Sequence, residues 1–116
     1  MTINQYQVEA LRTAKSANSD CLLIVDNALI MNGVLGLTGE AGECADIVKK
    51  HLFQGHELDR EHLAEELGDV AWYVAVSAYA LGYDLEAILN MNVDKLRRRY
   101  PNGFEAERSV HREEEE

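Results

Sequence analysis

Apolar positions along the chain recur at steps of three and four residues rather than at alternate positions, the spacing that turns one face of a helix toward a core. One series runs through Val34, Leu37, Ala41, Cys44, Val48 and Leu52, and another through Leu63, Leu67, Val70, Val74 and Leu81. No alternating run is long enough to force a strand, and a single proline, Pro101, stands in 116 residues. Cys21-Leu-Leu-Ile-Val has the composition of a buried strand, but no second such run exists to pair with it, so it is read as helix.

Punctuating residues then divide the pattern. Thr2 followed by Gln5 makes a capping box and predicts a first helix from about Ile3 to Lys15, with residues 16–20 as a loop. A second helix is expected from about Cys21 to Leu52, with Asn32-Gly33 as the place where it would break. Asp59 caps a third, which runs to about Leu81 and stops at Gly82. Asp84 caps a fourth, which ends at Tyr100-Pro101-Asn102-Gly103. The expectation is an all-α, four- to five-helix bundle: one domain over residues 1–104 and a charged, frayed tail over residues 105–116.

Charge narrows the partners. The formal net charge is −10, and without the four acids of Glu113 to Glu116 it is still −6, so the acidity is not confined to the tail. Such a field opposes binding to bare nucleic acid. A phosphate-rich small ligand would need cations between itself and the protein. The start of the chain lacks a basic segment followed by an apolar one, and no apolar run approaches membrane-spanning length. Cys21 and Cys44 have neither metal-ligand spacing nor a histidine cluster beside them and read as small, reduced apolar residues. Together these features predict a cytoplasmic protein with no membrane and no nucleic-acid partner.

Two pairs of acids carry the candidate chemistry. Glu40-x-x-Glu43 lies on the second helix and Glu66-x-x-Asp69 on the third, each three residues apart and so on one helix face. At about 100° per residue, Glu40 and Glu43 fall roughly 60° and 120° to one side of Leu37, while Glu66 and Asp69 flank the other stripe with Tyr73 between them in angle. Two like charges about 4 Å apart cost on the order of 4 kcal/mol near a protein surface, a penalty that a divalent cation removes. Oxygen-only ligation suits Mg²⁺, with Mn²⁺ as the alternative, whereas zinc favours Cys or His. A di-iron bundle uses Glu-x-x-His, but at that spacing Glu43 and Glu66 are followed by Asp46 and Asp69. The metal ligands expected are therefore Glu40, Glu43, Glu66 and Asp69.

Four ordered blocks resemble a known family. Gly36-Leu-Thr-Gly-Glu-Ala-Gly-Glu-Cys-Ala-Asp46, Lys49-Lys50, Glu65-Glu-Leu-Gly-Asp-Val-Ala-Trp-Tyr73, and Asn92-Val-Asp-Lys-Leu-Arg-Arg-Arg-Tyr-Pro101 with Gly103-Phe104 are similar to the MazG nucleotide pyrophosphohydrolases. The family's E-x-x-E, spacer, E-x-x-D signature is met with 22 residues between Glu43 and Glu66. The resemblance implies the MazG-like all-α NTP pyrophosphatase fold and a Mg²⁺-dependent enzyme that cleaves a nucleoside triphosphate to the monophosphate and pyrophosphate. It also implies a homodimer or homotetramer with sites at or near subunit contacts. Phosphoribosyl-ATP pyrophosphohydrolase is a related alternative, but the Glu-Leu-Gly-Asp-Val-Ala-Trp-Tyr block is closer to the MazG group. A non-catalytic helical module that binds nucleotide or oligomerises is the other class.

Phosphoryl transfer needs positioning and charge stabilisation. Glu43, the more solvent-directed of its pair, is the preferred general base. Lys95, Arg97, Arg98 and Arg99 place four of eleven basic residues in five positions, where they also suit a helix C-terminus. By resemblance to the N-x-x-K-L-x-x-R-Y-P pattern, Asn92, Lys95 and Arg99 are the substrate contacts among them. Lys50 has two readings, a phosphate contact or an i, i+4 pair with Asp46. Tyr73 is expected to edge a base, and Trp72 reads as core or subunit interface. Gly36, Gly39 and Gly42 match no phosphate-loop spacing and read as sites of close helix packing. The histidines at 51, 56, 62 and 111 show no ligand spacing and are assigned to the surface.

Overall fold

The capping box at the N-terminus is formed: the Gln5 N–H donates to Thr2 Oγ1 at 3.1 Å and the Thr2 N–H donates to Gln5 Oε1 at 2.7 Å. Two helix-end donors are thereby satisfied reciprocally. The computed structural model describes residues 1–14 and 27–112. They form five helices and no β-strand: α1 (Ile3–Leu11), α2 (Asn27–Phe53), α3 (Arg60–Ala80), α4 (Leu85–Arg99) and α5 (Ala106–Val110). The expected loop at 16–20 and the Cys21-Leu-Leu-Ile-Val run lie outside the described residues. Among the described residues, no helix is long and apolar enough to cross a membrane.

Three boundaries show what decides them. α1 is shorter than the sequence predicts, because the N–H groups of Arg12, Thr13 and Ala14 close back three residues onto Glu9, Ala10 and Leu11. α2 continues through Asn32-Gly33 without the break that a glycine invites, for Gly33 is buried in a helix contact. α3 begins with Asp59 accepting the His62 N–H at 3.0 Å and ends as expected at Gly82, whose φ is +84°. There the Tyr83 N–H donates to the Ala78 carbonyl and the Gly82 N–H to Tyr79, both at 2.9 Å, which satisfies two terminal carbonyls.

The chain divides into two compact units, Met1–Leu85 and Glu86–Glu116. In the first, α1 and α2 both pack on α3. One core cluster is Ala10, Ala75 and Leu85 with Tyr6, Trp72 and Val74; the other is Leu29, Val76 and Ala80 with Leu11, Ile30, Trp72 and Tyr79. Gln7 is buried among them with its polar atoms matched. Its Nε2 donates to the carbonyls of Ala75 and Tyr83, both at 3.1 Å, and its Oε1 accepts the Leu85 N–H at 3.0 Å. One side chain thus fixes α1 against the end of α3 and the first residue of α4.

The face of α2 that meets α3 differs from the stripe expected. Val34, Val48 and Leu52 are exposed, whereas Leu29 and Gly33 are buried. A methyl group added at Gly33 would collide with Ser77 Oγ, and one at Gly36 with the ring of Tyr73. Missing side chains, not large apolar ones, make this contact. On α3 the correction is similar: Leu67 and Leu81 are exposed, and the core is built from Ala75, Val76, Ala78 and Ala80, because small residues admit the neighbouring helices closely. Gly39 and Gly42 face open space, so close packing within the described residues is made at Gly36 but not at these two.

In the second unit, α4 exposes Met91, Val93 and Leu96. Arg108 Nε donates to the Arg99 carbonyl at 2.6 Å, and the Tyr100 and Phe104 rings lie 5.3 Å apart. α5, in the stretch read from sequence as a charged tail, is five residues long with none buried.

Ala exceeds Gly in helix propensity by about 0.8–1 kcal/mol, so the two classes of glycine should respond oppositely to the same change. Gly39→Ala is expected to raise the thermal midpoint and Gly33→Ala to lower it; two stabilising substitutions would mean that α2 and α3 are not in this close contact.

Candidate metal centre

Both acid pairs belong to the first unit, Glu40 and Glu43 on α2 and Glu66 and Asp69 on α3. Counted around α2 at about 100° per residue, Glu40 falls only about 20° from Gly33. The narrow contact at Gly33 and Gly36 therefore leads along α2 to Glu40, which meets the α3 acids one turn further on. One carboxylate oxygen from each of Glu40, Glu66 and Asp69 can be chosen so that all lie within 4.8 Å of one another. Glu43 is not in that group; one turn along α2 and exposed, it acts on Glu40 through its charge.

Crowding changes the acid chemistry. Glu40 is raised above the ordinary carboxyl value, first by a hydrogen bond shared with Glu66, then by lost solvent and by the charges of Glu66, Asp69 and Glu43. Two carboxylates that approach this closely favour a proton between them. The donors are all hard oxygens, which suits Mg²⁺ or Mn²⁺ and gives zinc none of its preferred nitrogen or sulfur ligands.

The surroundings add groups that the sequence did not single out. His62 Nε2 lies 3.1 Å from Glu66 Oε1, one helical turn before it, and orients that carboxylate. The i, i+4 spacing of His62 and Glu66 is the signal of this pair in the sequence, and it carries no metal-ligand pattern. Tyr6 on α1 responds to the cluster at a distance: burial, and then the Asp69 charge, raise its phenol above the ordinary value. Thr13 joins Glu40, Asp69, Trp72 and Tyr73 in lining an open cleft of about 400 Å³. No pattern in the sequence links Thr13 to acids so distant along the chain.

Tyr73 lies over Gly36 and meets Trp72 edge to face, with centroids 4.8 Å apart and planes at 84°. Lys50 makes the intrahelical pair, with Nζ 2.8 Å from Asp46 Oδ2, and Lys49 reaches the same carboxylate at 3.3 Å. These contacts hold Asp46 below its ordinary value and raise Lys50. In the second unit, Asn92 and Lys95 share a cleft of about 480 Å³ on α4 with Ile88, Met91, Asp94 and Arg98. Arg99 is half-buried and does not line that cleft.

A family model described as the MazG nucleotide pyrophosphohydrolase domain matches residues 32–104, a stretch that includes all four acids and excludes α1. The Gene 37 protein of Mycobacterium phage L5 is 37% identical over 108 residues, which span 89% of this chain and 92% of that protein. No solved structure gives a significant match.

The raised value of Glu40 has a definite sign in stability. A carboxyl that titrates higher in the folded chain than in the unfolded one contributes stability at pH below the ordinary carboxyl range, and that contribution is lost as pH rises through the raised value. Glu40→Gln should therefore raise the thermal midpoint of chelator-treated protein at pH 7. A divalent cation in excess, were it held by these three acids, would reverse the order, because wild type would gain stability by binding and the variant would lack a ligand. Calorimetry under both conditions checks this; a variant no more stable than wild type without metal would contradict the crowding.

Proposed function

The chain belongs to the MazG family of nucleotide pyrophosphohydrolase domains, and from that premise we propose that it hydrolyses a nucleoside triphosphate, ribo- or deoxyribo-, to the monophosphate and pyrophosphate, clearing unwanted nucleotides from the pool. The observation that carries the reading is the meeting of Glu40, Glu66 and Asp69 within 4.8 Å on two facing helices. Nothing on the polar face of an ordinary helix pair requires three like charges to gather. A cytoplasmic setting, with its free nucleotides and Mg²⁺, goes with this reading.

Glu40, Glu66 and Asp69 would hold the ion, Mg²⁺ or Mn²⁺, with Glu43 as the fourth carboxylate. Such an ion supplies positive charge against the phosphate oxygens and lowers the pKa of water. The chain's own groups do the rest. Glu43 takes the proton from the attacking water, a role suited to a carboxylate that is exposed and outside the tightest part of the cluster. The water oxygen bonds to phosphorus, the bridge between the α and β phosphorus atoms breaks, and pyrophosphate departs. Attack at either phosphorus yields the same two products.

Tyr73 edges the base from beside Glu40 and Asp69, in the cleft that they share. Lys50 turns from Asp46 to a phosphate, an exchange supported by the exposure of both partners. Asn92, Lys95 and Arg99 are substrate contacts on the strength of the N-x-x-K-L-x-x-R-Y-P pattern, and the shared cleft of Asn92 and Lys95 adds support for those two. Residues 1–104 are taken as the catalytic domain and 105–116 as an appendage to it.

The working form is a homodimer or homotetramer. Support comes from a second apolar face on α2, centred roughly 150° from Gly33 at about 100° per residue. Met31, Leu35 and Leu52 are exposed by 65%, 67% and 62% along it. Beside them an apolar groove of about 430 Å³ is lined by Cys44, Ala45, Val48, Lys49, Leu52, Phe53 and Leu63. Exposed large apolar side chains beside an apolar groove support an interface at this face.

Two measurements test these assignments. Pyrophosphate release from a panel of triphosphates with Mg²⁺ should be measurable for wild type and fall by about 10²-fold or more in Glu43→Gln, the range expected for a lost general base; no release from any member of the panel would refute the enzyme. Light scattering should give a dimer or tetramer for wild type and a smaller species for Leu35→Glu combined with Leu52→Glu. A wild-type monomer would sink the assembly.

A further inference from the structure

α1 lies outside the family-matched stretch, yet the turn that follows it places the Thr13 hydroxyl in the wall of the acid cleft. Trp72 Nε1 donates to Thr13 Oγ1 at 2.9 Å and to the Ala10 carbonyl at 3.0 Å. The Thr13 hydroxyl in turn donates to that carbonyl at 3.1 Å. A hydroxyl has one proton and two lone pairs, and an indole N–H only donates. With the proton committed to Ala10 and one lone pair to Trp72, a single acceptor site remains on Thr13 among the described residues, in an exposed part of the cleft wall.

We infer that Thr13 is a specificity residue of the nucleotide cleft, presenting one hydrogen-bond acceptor to an N–H or O–H donor on the nucleoside part of the substrate. This rests on the nucleotide reading proposed above. The placement suits the nucleoside rather than the phosphates, because phosphate oxygens only accept and would meet an acceptor. The donor is an exocyclic amine of the base or a sugar hydroxyl. Thr13 is held for this purpose: Gln7 anchors α1 through three buried hydrogen bonds, and the Trp72 N–H fixes the hydroxyl itself.

The test compares triphosphates that differ by one donor: GTP with ITP, CTP with 2-pyrimidinone riboside triphosphate, and each ribonucleotide with its 2′-deoxy form. Wild type is expected to favour the donor-bearing member of one pair in kcat/KM by about threefold to tenfold, the range of one net hydrogen bond. The amine pairs and the sugar pair identify which donor is read. Thr13→Val removes the acceptor and should bring that ratio close to one, while Thr13→Ser keeps both acceptor and ratio. The Trp72 N–H retains Ala10 in the valine variant, so the fold is not left with an orphaned indole; Thr13→Ala serves should that variant misfold. Trp72 is the sole tryptophan, so in a Glu43→Gln background, where turnover is slow, its emission gives the same ratios as Mg²⁺-nucleotide affinities. Equal ratios in wild type and Thr13→Val for every pair would overturn the inference, whereas a wild type that neither hydrolyses nor binds any nucleotide would refute the reading beneath it.

Discussion

Helices cannot bring carboxylates from facing surfaces into mutual contact unless their backbones approach closely, and on α2 the residues that permit this have no side chains. Gly33 sits against Ser77 and Gly36 against the Tyr73 ring, each so tightly that a methyl group would collide. Glu40 continues that same face of α2. The approach has consequences elsewhere: it places Tyr73 beside the acids and closes the Ser77 hydroxyl off with no hydrogen-bond partner among the described residues. Leaving such a group unpaired costs about 1–3 kcal/mol, which indicates how strongly the remaining contacts favour this spacing.

Once the helices are that close, electrostatics and packing oppose each other. Apolar burial around Val76 and Ala75, with Gln7 and Trp72 pinning α1, holds α3 in place. The carboxylates that α3 carries are pressed toward Glu40, whose proton affinity rises in response. A site of this kind stores repulsion in the metal-free state and releases it on binding a cation. His62 borders the cluster and orients Glu66 through a hydrogen bond, while the Asp69 charge is felt as far as Tyr6 on α1.

α2 uses two faces for different purposes. The face bearing Gly33 and Glu40 meets α3, while the larger residues Met31, Leu35 and Leu52 point into solvent. Among the described residues, the buried apolar set is rich in alanine. Large side chains kept out of an internal contact by its narrowness are available for an external one, and this gives the assembly reading its physical basis.

Periodicity, capping residues and the absence of alternation were sufficient to determine an all-helical chain, the end of α3 at Gly82, and the presence of one acid pair on each of two helices. These are local properties, decided within a few residues along the backbone. The sequence alone misjudged which face of α2 is internal, because hydrophobicity ranks Val34 and Leu52 above Gly33 and cannot register that a contact made by missing side chains is closer. It set Glu43 apart only as the more solvent-directed of its pair, and that Glu40, Glu66 and Asp69 meet without it depends on distances of a few ångströms across two helices. The placing of Thr13 beside acids on other helices, and of Tyr6 where the Asp69 charge is felt, was decided only by tertiary structure. It follows from the way Gln7 and Trp72 dock α1 on α3, and contacts across more than 50 residues of chain leave no periodic trace in either partner.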